Sequence, residues 1–166
     1  QSIDGLFDAV QAKQAPVIIA MPSRVLDNDN IPALAAYIRR RAEPVQTPVA
    51  LMLDHGRSFE HCVKALTLGF TDVMFDGSQL PFEENVATTK AVVRAAHAVG
   101  ALAEAELGHV GKGAEYQAFG AQRKGFTDPA LAARFVSETG ADLLAVAIGN
   151  AHGLYDGKPT IDMDLL

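Results

Sequence analysis

The sequence predicts an α/β fold in which buried parallel strands alternate with amphipathic helices. Five short apolar runs lack the polar alternation of half-exposed strands, as expected for strands that are covered on both faces. The runs are Val17 to Met21, Val49 to Leu53, Asp72 to Phe75, Ala101 to Leu107 and Asp142 to Ile148. Their irregular spacing is unlike a short-period solenoid, and it fits either a doubly wound sheet or a (β/α)₈ barrel.

Helical segments follow the strands, and their ends carry capping residues. Glycine is typical of a left-handed cap at the end of a helix, and proline is favoured in the first helical turn. The segments are Ser58 to Leu68 before Gly69, Pro81 to Val99 before Gly100, and a helix that opens at Asp128-Pro129 and ends at Gly140.

Length and composition fit one domain spanning 1–166, with 49% apolar residues available for a core. A barrel typically needs ~250 residues, so this length holds about five of its eight βα units. A doubly wound domain fits the length better, but no Gly-x-Gly-x-x-Gly motif indicates nucleotide binding. The residues that carry chemistry must therefore decide between the two folds.

Charge and cysteine content narrow the function classes. A net charge of −6 without a basic block argues against nucleic acid and anionic membrane surfaces as partners. Cys62 is the single cysteine, so no internal disulfide forms and a cytoplasmic location is expected. No apolar run approaches the length of a membrane span, and the first residues lack the pattern of a signal peptide.

Histidines and carboxylates follow the ends of the apolar runs. Asp54-His55-Gly56 closes one run, and His152 follows another. Since the carboxyl ends of barrel strands meet at one face, these residues are expected to share a site. Imidazole and carboxylate are zinc ligands, so His55 and His152 are metal candidates, joined by Glu106 and Asp76 at two further strand ends. Asp54 is a candidate general acid or base.

Several polar residues have a structural interpretation instead. Asp54 is alternatively a helix cap or an ion-pair partner of Arg57. His61 and His97 fall in helical segments and are expected on the surface, while the role of His109 is open. Cys62 lies inside a helix without a nearby base, which argues against a catalytic thiol.

Two irregular segments are expected near the site. The glycine-rich stretch from Gly108 to Gly125 is long for a loop in a compact domain, which is typical of an active-site lid. A shorter stretch, Pro22 to Asn30, follows the first apolar run and is placed to wall the same pocket.

Seven segments together resemble the class II, zinc-dependent ketose-bisphosphate aldolases, the group that contains fructose-1,6-bisphosphate and tagatose-1,6-bisphosphate aldolases. They are Pro16-Val17-Ile18-Ile19, Leu53-Asp54-His55-Gly56, Phe75-Asp76-Gly77-Ser78, Leu80-Pro81-Phe82-Glu83-Glu84-Asn85, Ala103-Glu104-Ala105-Glu106-Leu107-Gly108, Thr127-Asp128-Pro129 and Ala147-Ile148-Gly149-Asn150-Ala151-His152-Gly153. The resemblance implies a (β/α)₈ TIM barrel, of which about five βα units are present in this sequence.

The resemblance also implies roles for single residues. It implies zinc at His55 and His152 with Glu106 associated, and proton transfer by Asp54 and by a lid residue, Glu115. The residues that it places near substrate are Ser23, Asn150, Gly153 and Lys158, with a monovalent cation such as Na⁺ or K⁺ near Gly153.

The chemistry that the resemblance implies is a reversible aldol cleavage in carbohydrate metabolism, within glycolysis. A ketose 1,6-bisphosphate yields dihydroxyacetone phosphate and glyceraldehyde 3-phosphate, with zinc as the Lewis acid. A homodimer or homotetramer is expected. Two alternatives stay open: a non-catalytic or fragmentary homologue that associates with other barrel segments, and a class II aldolase for another phosphorylated sugar or sugar acid.

The sequence departs from the family pattern at several places. The pattern's first strand, its third zinc histidine and its glycine-rich phosphate loop are not found in this sequence, and Gln1 to Gln14 matches the helix after the first strand. The lid reads Gly111-Lys112-Gly113-Ala114-Glu115 where two glycines and acidic residues are common. Gln79 stands where a histidine is usual, and Asp156 where a phosphate-facing lysine is common, with Lys158 as a substitute.

Overall fold

The computed structural model describes residues 2–116, 123 and 125–166, and it confirms the predicted α/β fold. The α-helices are α1 (Ser2–Lys13), α2 (Ile31–Ala42), α3 (Phe59–Thr67), α4 (Phe82–Ala98) and α5 (Pro129–Thr139). The strands are β1 (Val17–Pro22), β2 (Val49–Gly56), β3 (Asp72–Phe75), β4 (Leu102–Leu107), β5 (Gly111–Lys112), β6 (Leu143–Val146) and β7 (Ala151–His152). Short 3₁₀ helices cover Ser23–Asp27 and Gly113–Glu115. Among the helices of these ranges, none has both the length and the apolar character to cross a membrane.

Two sheets organise the strands. Five strands form one sheet in the order β1-β2-β3-β4-β6, in which β1 with β2, β2 with β3, and β4 with β6 pair in parallel. The short strands β5 and β7 form a second, parallel pair. All five predicted runs contain a strand, but α2 and the β5–β7 pair were not predicted. The predicted lid lies partly outside the described residues, because 117–122 and 124 are not among them.

The chain divides into two compact units. Unit 1 comprises Gln1–Phe75 and Ala91–Ala103, and unit 2 comprises Asp76–Lys90 and Glu104–Leu166. The single domain expected from length and composition stays a prediction.

In unit 1, the sheet is joined to α3 through a buried apolar layer. Strand β1 pairs with β2 from Val17 opposite Val49 to Pro22 opposite Asp54. Leu53, Cys62 and Val73 are fully buried, and they come from β2, α3 and β3. The helix begins where the Ser58 hydroxyl accepts a hydrogen bond from the His61 amide, and Gly69 follows its end at a φ of 81°. The stop at Gly69 is the one that the sequence predicts.

The helices α1 and α2 of unit 1 are linked through Arg41. Its guanidinium lies 5.4 Å from the ring centroid of Phe7, and its Nε is 3.2 Å from a carboxylate oxygen of Asp4. Tyr37, one turn earlier in α2, donates a hydrogen bond to the same Asp4 oxygen. Because Phe7 is buried, the contact joins apolar packing with charge pairing along these two helices.

In unit 2, the helix α5 packs against the start of α4 and against β4. Phe135 is fully buried beside Val86 and Ala105, and its ring meets that of Phe82 edge-on at 5.9 Å. The Asp128 side chain caps α5 by accepting from the Leu131 amide at 3.0 Å. Gly140 ends the helix with a left-handed φ of 71°. The Asp-Pro opening and the glycine stop are therefore confirmed.

We expect Phe135→Ala to lower the free energy of unfolding by about 3–5 kcal/mol, because it leaves a cavity in the fully buried core of unit 2. Urea unfolding followed by circular dichroism measures the change. The matched control is Val136→Ala on the same helix, where the side chain is 38% exposed. Its cost should stay within about 0.5 kcal/mol, and equal losses in the two variants would contradict the core assignment.

Candidate functional site

Strand β2 ends in the residues that carry the candidate chemistry of unit 1. The pairing of β2 with β3 shifts register between Leu53 and Gly56, so the strand is irregular at Asp54 and His55. His55 adopts a φ of 51°, a left-handed conformation that few non-glycine residues take. Irregularities of this kind re-aim side chains and are frequent next to active sites. The strict alternation of a regular strand therefore does not apply to Asp54 and His55.

The side chains of Asp54 and His55 are neighbours that are partly open to solvent. Oδ1 of Asp54 lies 3.9 Å from Nε2 of His55, and the two side chains are 37% and 31% exposed. This separation is beyond hydrogen-bond distance. The carboxylate and the imidazole are therefore placed side by side without a direct hydrogen bond between these two atoms.

Gly56 is the last residue of β2, and no side chain fits at its position. A Cβ there would lie 2.6 Å from the carbonyl oxygen of Met74 and 3.0 Å from Sγ of Cys62. Glycine thus lets the end of β2 approach β3 and α3 closely. This close approach explains why the third residue of the Asp-His-Gly motif is glycine.

Ser23 lies at the same end of the unit 1 sheet as Asp54. Pro22 is the last residue of β1 and pairs with Asp54, and Ser23 follows Pro22 as the first residue of a 3₁₀ helix. Ser23 is only 4% exposed. The structure therefore places this predicted substrate contact one residue beyond the pairing partner of Asp54.

Two predicted metal-associated residues, Asp76 and Glu106, come together in unit 2. One carboxylate oxygen of each lies within 4.8 Å of the other. Glu106 lies in β4 and is 3% exposed, whereas Asp76 is partly exposed. Two carboxylates at this distance repel each other when both are ionised, and a cation between them offsets that repulsion. The pair is chemically suited to a cation.

Two residues that were not predicted as part of the site, Ser78 and Asn85, bond Asp76 and Glu106. Oδ1 of Asp76 accepts hydrogen bonds from the backbone amide of Ser78 at 3.1 Å and from its hydroxyl at 2.7 Å. The amide nitrogen of Asn85 donates to the backbone carbonyl of Glu106 at 2.9 Å. Both residues lie in the segments Phe75-Asp76-Gly77-Ser78 and Leu80-Pro81-Phe82-Glu83-Glu84-Asn85, but the sequence gives no sign of these hydrogen bonds.

His152 lies on the small β5–β7 sheet of unit 2. It is exposed and pairs with Lys112 in parallel register. Within the described ranges, no group of three ligand atoms at 4.8 Å spacing includes His152. The structure therefore does not join His152 to Asp76 and Glu106 at that spacing, and its ligand role stays a prediction.

The loop before and after His152 is shaped by local hydrogen bonds. The Asn150 side chain accepts from the Ile148 amide at 2.9 Å and donates to the Val146 carbonyl at 3.1 Å. Gly153 follows with a left-handed φ of 79°. Asn150 thus uses both ends of its amide to turn the chain after β6, and its predicted substrate contact stays a prediction.

Glu115 and Lys158 are exposed in unit 2. Glu115 ends the 3₁₀ helix that begins at Gly113. A Cβ added at Gly113 would lie only 2.3 Å from the Leu154 carbonyl oxygen, so the two segments are in close contact. The Gly113 carbonyl accepts from the Asp156 amide at 2.8 Å. The segment with Glu115 therefore packs directly on the chain that follows His152, while Lys158 lies outside regular structure.

The single cysteine and the three other histidines lie in defined surroundings. Burial raises the pKa of the Cys62 thiol to about 12, and the nearby Glu60 carboxylate adds to the shift. His61 and His97 lie in helices α3 and α4, as predicted. His109, whose role was open, shares a hydrogen bond of 2.6 Å between its Nδ1 and the amide nitrogen of Gln79.

Comparison with known proteins points to one family. The model of the family "Fructose-bisphosphate aldolase class-II" matches residues 1–166. The chain is 44% identical over 159 residues to the "Fructose-bisphosphate aldolase" of Thermus caldophilus, covering 95% of this chain and 52% of that protein. It is 51% identical over 161 residues to the "Probable fructose-bisphosphate aldolase" of Bacillus subtilis, covering 94% and 55%.

A solved structure agrees with these matches. The crystal structure of the YdjI aldolase from Escherichia coli K12 aligns with a TM-score of 0.83 at 36% identity, covering 98% of this chain and 56% of that chain. The parallel sheet and its helices thus form part of a (β/α)₈ barrel. The chain spans about half the length of the relatives that it matches.

We expect Cys62 to resist alkylation in the folded protein, because burial and a pKa of about 12 leave almost no thiolate near neutral pH. Iodoacetamide followed by intact-mass measurement tests this. The folded protein should stay unlabelled while the urea-unfolded protein gains one label, and rapid labelling of the folded protein would contradict it.

The same burial predicts a pH effect on stability. The folded pKa of Cys62 lies above its ordinary value of 9.0, so its stabilising contribution is complete below that pH and is lost as the pH rises towards about 12. Cys62→Ala should show a shallower loss of stability over this range in urea unfolding. If the free energy of unfolding falls equally with pH in the wild-type protein and in Cys62→Ala, the thiol makes no such contribution.

Proposed function

Because the chain belongs to the class II fructose-bisphosphate aldolase family, we propose that the protein reversibly cleaves a ketose 1,6-bisphosphate. The products are dihydroxyacetone phosphate and an aldehyde phosphate, glyceraldehyde 3-phosphate. The observation that carries the proposal is the irregular end of β2, which sets the carboxylate of Asp54 beside the imidazole of His55.

The proposed proton chemistry begins at Asp54. Cleavage of the bond between C3 and C4 requires loss of the proton from the C4 hydroxyl, and Asp54 accepts it as the general base. The electron pair of the broken bond stays on C3 of the ketone half, and the C4 oxygen becomes the aldehyde. Glu115 then supplies a proton to C3. Its exposed position in the segment 113–115 supports access to substrate.

A zinc ion fits the donor set of this proposal. Imidazole from His55 and His152 and carboxylate from Glu106 and Asp76 are ligands that zinc accepts. The closeness of the Asp76 and Glu106 carboxylates supports a cation next to them in unit 2. Zinc, when bound, would supply Lewis-acid polarisation of the substrate ketone.

Substrate binding is proposed at four further residues. Ser23 lies beyond the end of β1, and Gly153 is exposed at a left-handed turn. The Gly153 amide would bind a phosphate group, and a Na⁺ or K⁺ ion would bind nearby. Asn150 shapes the loop before this turn. Lys158 contributes an exposed positive charge that suits a phosphate group.

Two further parts of the proposal concern assembly and substrate. A cytoplasmic homodimer or homotetramer that acts in glycolysis is proposed from the family alone. The departures at Gln79 and Asp156 favour testing a second substrate class, phosphorylated sugars or sugar acids other than fructose 1,6-bisphosphate. A panel of such substrates, with aldehyde release as the readout, separates the two classes.

We expect Asp54→Asn to lower the retro-aldol rate by about 10²–10⁴-fold, the usual contribution of a general acid or base. A coupled assay of aldehyde phosphate release measures the rate, and zinc content by atomic absorption should not change. The matched control is Asp8→Asn, which removes a carboxylate from an exposed ion pair with Arg41. Unchanged turnover in Asp54→Asn would refute the catalytic assignment.

We expect chelation of metal to abolish turnover and added Zn²⁺ to restore it, because no other group on the chain is proposed to polarise the ketone. Borohydride in the presence of substrate serves as the control. It should label no lysine, since the proposed chemistry forms no Schiff base. Full activity after complete metal removal would overturn the metal-dependent proposal and leave a lysine mechanism to be tested.

A further inference from the structure

We infer that Ser78 and Asn85 are positioning residues that fix the carboxylates of Asp76 and Glu106 for metal binding. All four residues belong to unit 2. The inference rests on the proposed metal-dependent function, and it goes beyond it by naming residues that act through their hydrogen bonds to Asp76 and Glu106. The segment 76–90 thus contains Asp76 together with Ser78 and Asn85, the residues that support Asp76 and Glu106.

Ser78 holds one oxygen of Asp76. Its amide nitrogen and its hydroxyl both donate to Oδ1, at 3.1 and 2.7 Å. Two donors on the same oxygen fix the torsion of the carboxylate, because rotation of the side chain would break both bonds together. Rotation of Asp76 thus costs two hydrogen bonds at once, each worth roughly 0.5–1.5 kcal/mol, and more when the acceptor is charged.

Asn85 holds the backbone that carries Glu106. Its amide nitrogen donates to the Glu106 carbonyl at 2.9 Å, and its amide oxygen accepts from the Thr89 hydroxyl at 3.0 Å. Asn85 and Thr89 are each 1% exposed and lie one turn apart in α4. Because a carbonyl oxygen only accepts, the bond to Glu106 fixes which end of the Asn85 amide faces the strand, and the Thr89 hydroxyl donates to the other end.

A buried amide is costly unless it is fully bonded, so its presence requires a reason. An apolar residue at position 85 would pack in the same place without that cost. The Asn85 amide has a partner at each end instead, and one partner is the carbonyl of Glu106 itself. The arrangement gives up packing energy and gains a fixed position for β4 at the residue that bears the carboxylate.

Two carboxylates within 4.8 Å repel each other when both are ionised, which favours separation of the side chains. The bonds from Ser78 restrain the Asp76 carboxylate itself, and the bond from Asn85 restrains the backbone from which the Glu106 side chain extends. Both supports therefore help to form the metal site in advance. Loss of either support should therefore weaken metal binding even where the fold is intact.

The test compares Zn²⁺ affinity of Ser78→Ala, Asn85→Leu and Thr89→Val with that of the wild-type protein, by competition with a chromophoric chelator. We expect about 10–100-fold weaker binding for Ser78→Ala and Asn85→Leu, as for loss of other groups that orient metal ligands. Thr89→Val should weaken binding less. The visible spectrum of the Co²⁺-loaded proteins should also change, which a purely structural role would not cause.

The matched control is Thr139→Val, which removes another buried helical hydroxyl of unit 2. Thr139 is 4% exposed and donates to the Phe135 carbonyl at 2.8 Å, away from the carboxylates. It should lose stability without losing Zn²⁺ affinity. The inference is overturned if Ser78→Ala and Asn85→Leu bind Zn²⁺ like wild type, or if affinity falls equally in Thr139→Val.

Wild-type measurements separate this inference from the proposed function. Tight Zn²⁺ binding without retro-aldol turnover would refute the proposed activity, while weaker binding by the variants would still support the positioning roles. Normal turnover with unchanged Zn²⁺ affinity in the variants would refute the positioning roles alone. A wild-type protein that binds no Zn²⁺ would overturn both.

Discussion

Parallel strand register is the constraint on which the placement of the reactive residues depends. In unit 1, the pairing that starts at Val17 and Val49 ends with Pro22 opposite Asp54, so the chain after β1 and the end of β2 lie together. In unit 2, Glu106 pairs with Ala145. A slip of one residue in either pairing would turn every side chain of a strand to the other face.

Side chains from outside the sheet secure the strand ends that this register brings together. The last two carbonyls of β4 accept from helix and loop side chains, Glu106 from Asn85 at 2.9 Å and Leu107 from the Thr127 hydroxyl at 2.5 Å. The same hydroxyl accepts from the Ala147 amide at 2.8 Å. Gly108 leaves room for it, since a Cβ there would be 2.4 Å from the Thr127 oxygen. The side chains of Asn85 and Thr127 thus bond backbone groups at the end of β4, in place of hydrogen bonds between strands.

The parts of the fold that local chemistry determines were predictable from sequence. Strand β3 is a buried apolar run, and α5 opens on Asp128 and stops at Gly140. The helix α2 was missed although its buried residues Ile31, Ala35 and Ile38 have helical spacing, because small alanines and three arginines weaken the apolar pattern. The β5–β7 pair has no local signal, since it joins residues that are far apart in the chain.

The candidate site shows the same division. The apolar runs predict that Asp54, Asp76 and Glu106 lie at the ends of strands. In unit 2, the carboxylates of Asp76 and Glu106 are within 4.8 Å of each other. The chemical roles of all three residues stay predictions. The irregularity at His55 was not predictable, because it depends on a register shift against β3 and on the space that Gly56 leaves. Residue types alone carry no information about either contact.

Gln79 holds an imidazole of unit 2 through its side chain. Its amide nitrogen bonds Nδ1 of His109 at 2.6 Å, and His109 lies in the loop after β4. A glutamine amide offers a donor and an acceptor, and it can bond this nitrogen whether the nitrogen is bare or protonated. His109 is also fixed on its other side, because its amide donates to the Gly125 carbonyl at 2.7 Å. The backbone of His109 and its ring nitrogen are thus each bonded, which fixes the orientation of the imidazole in the loop after β4.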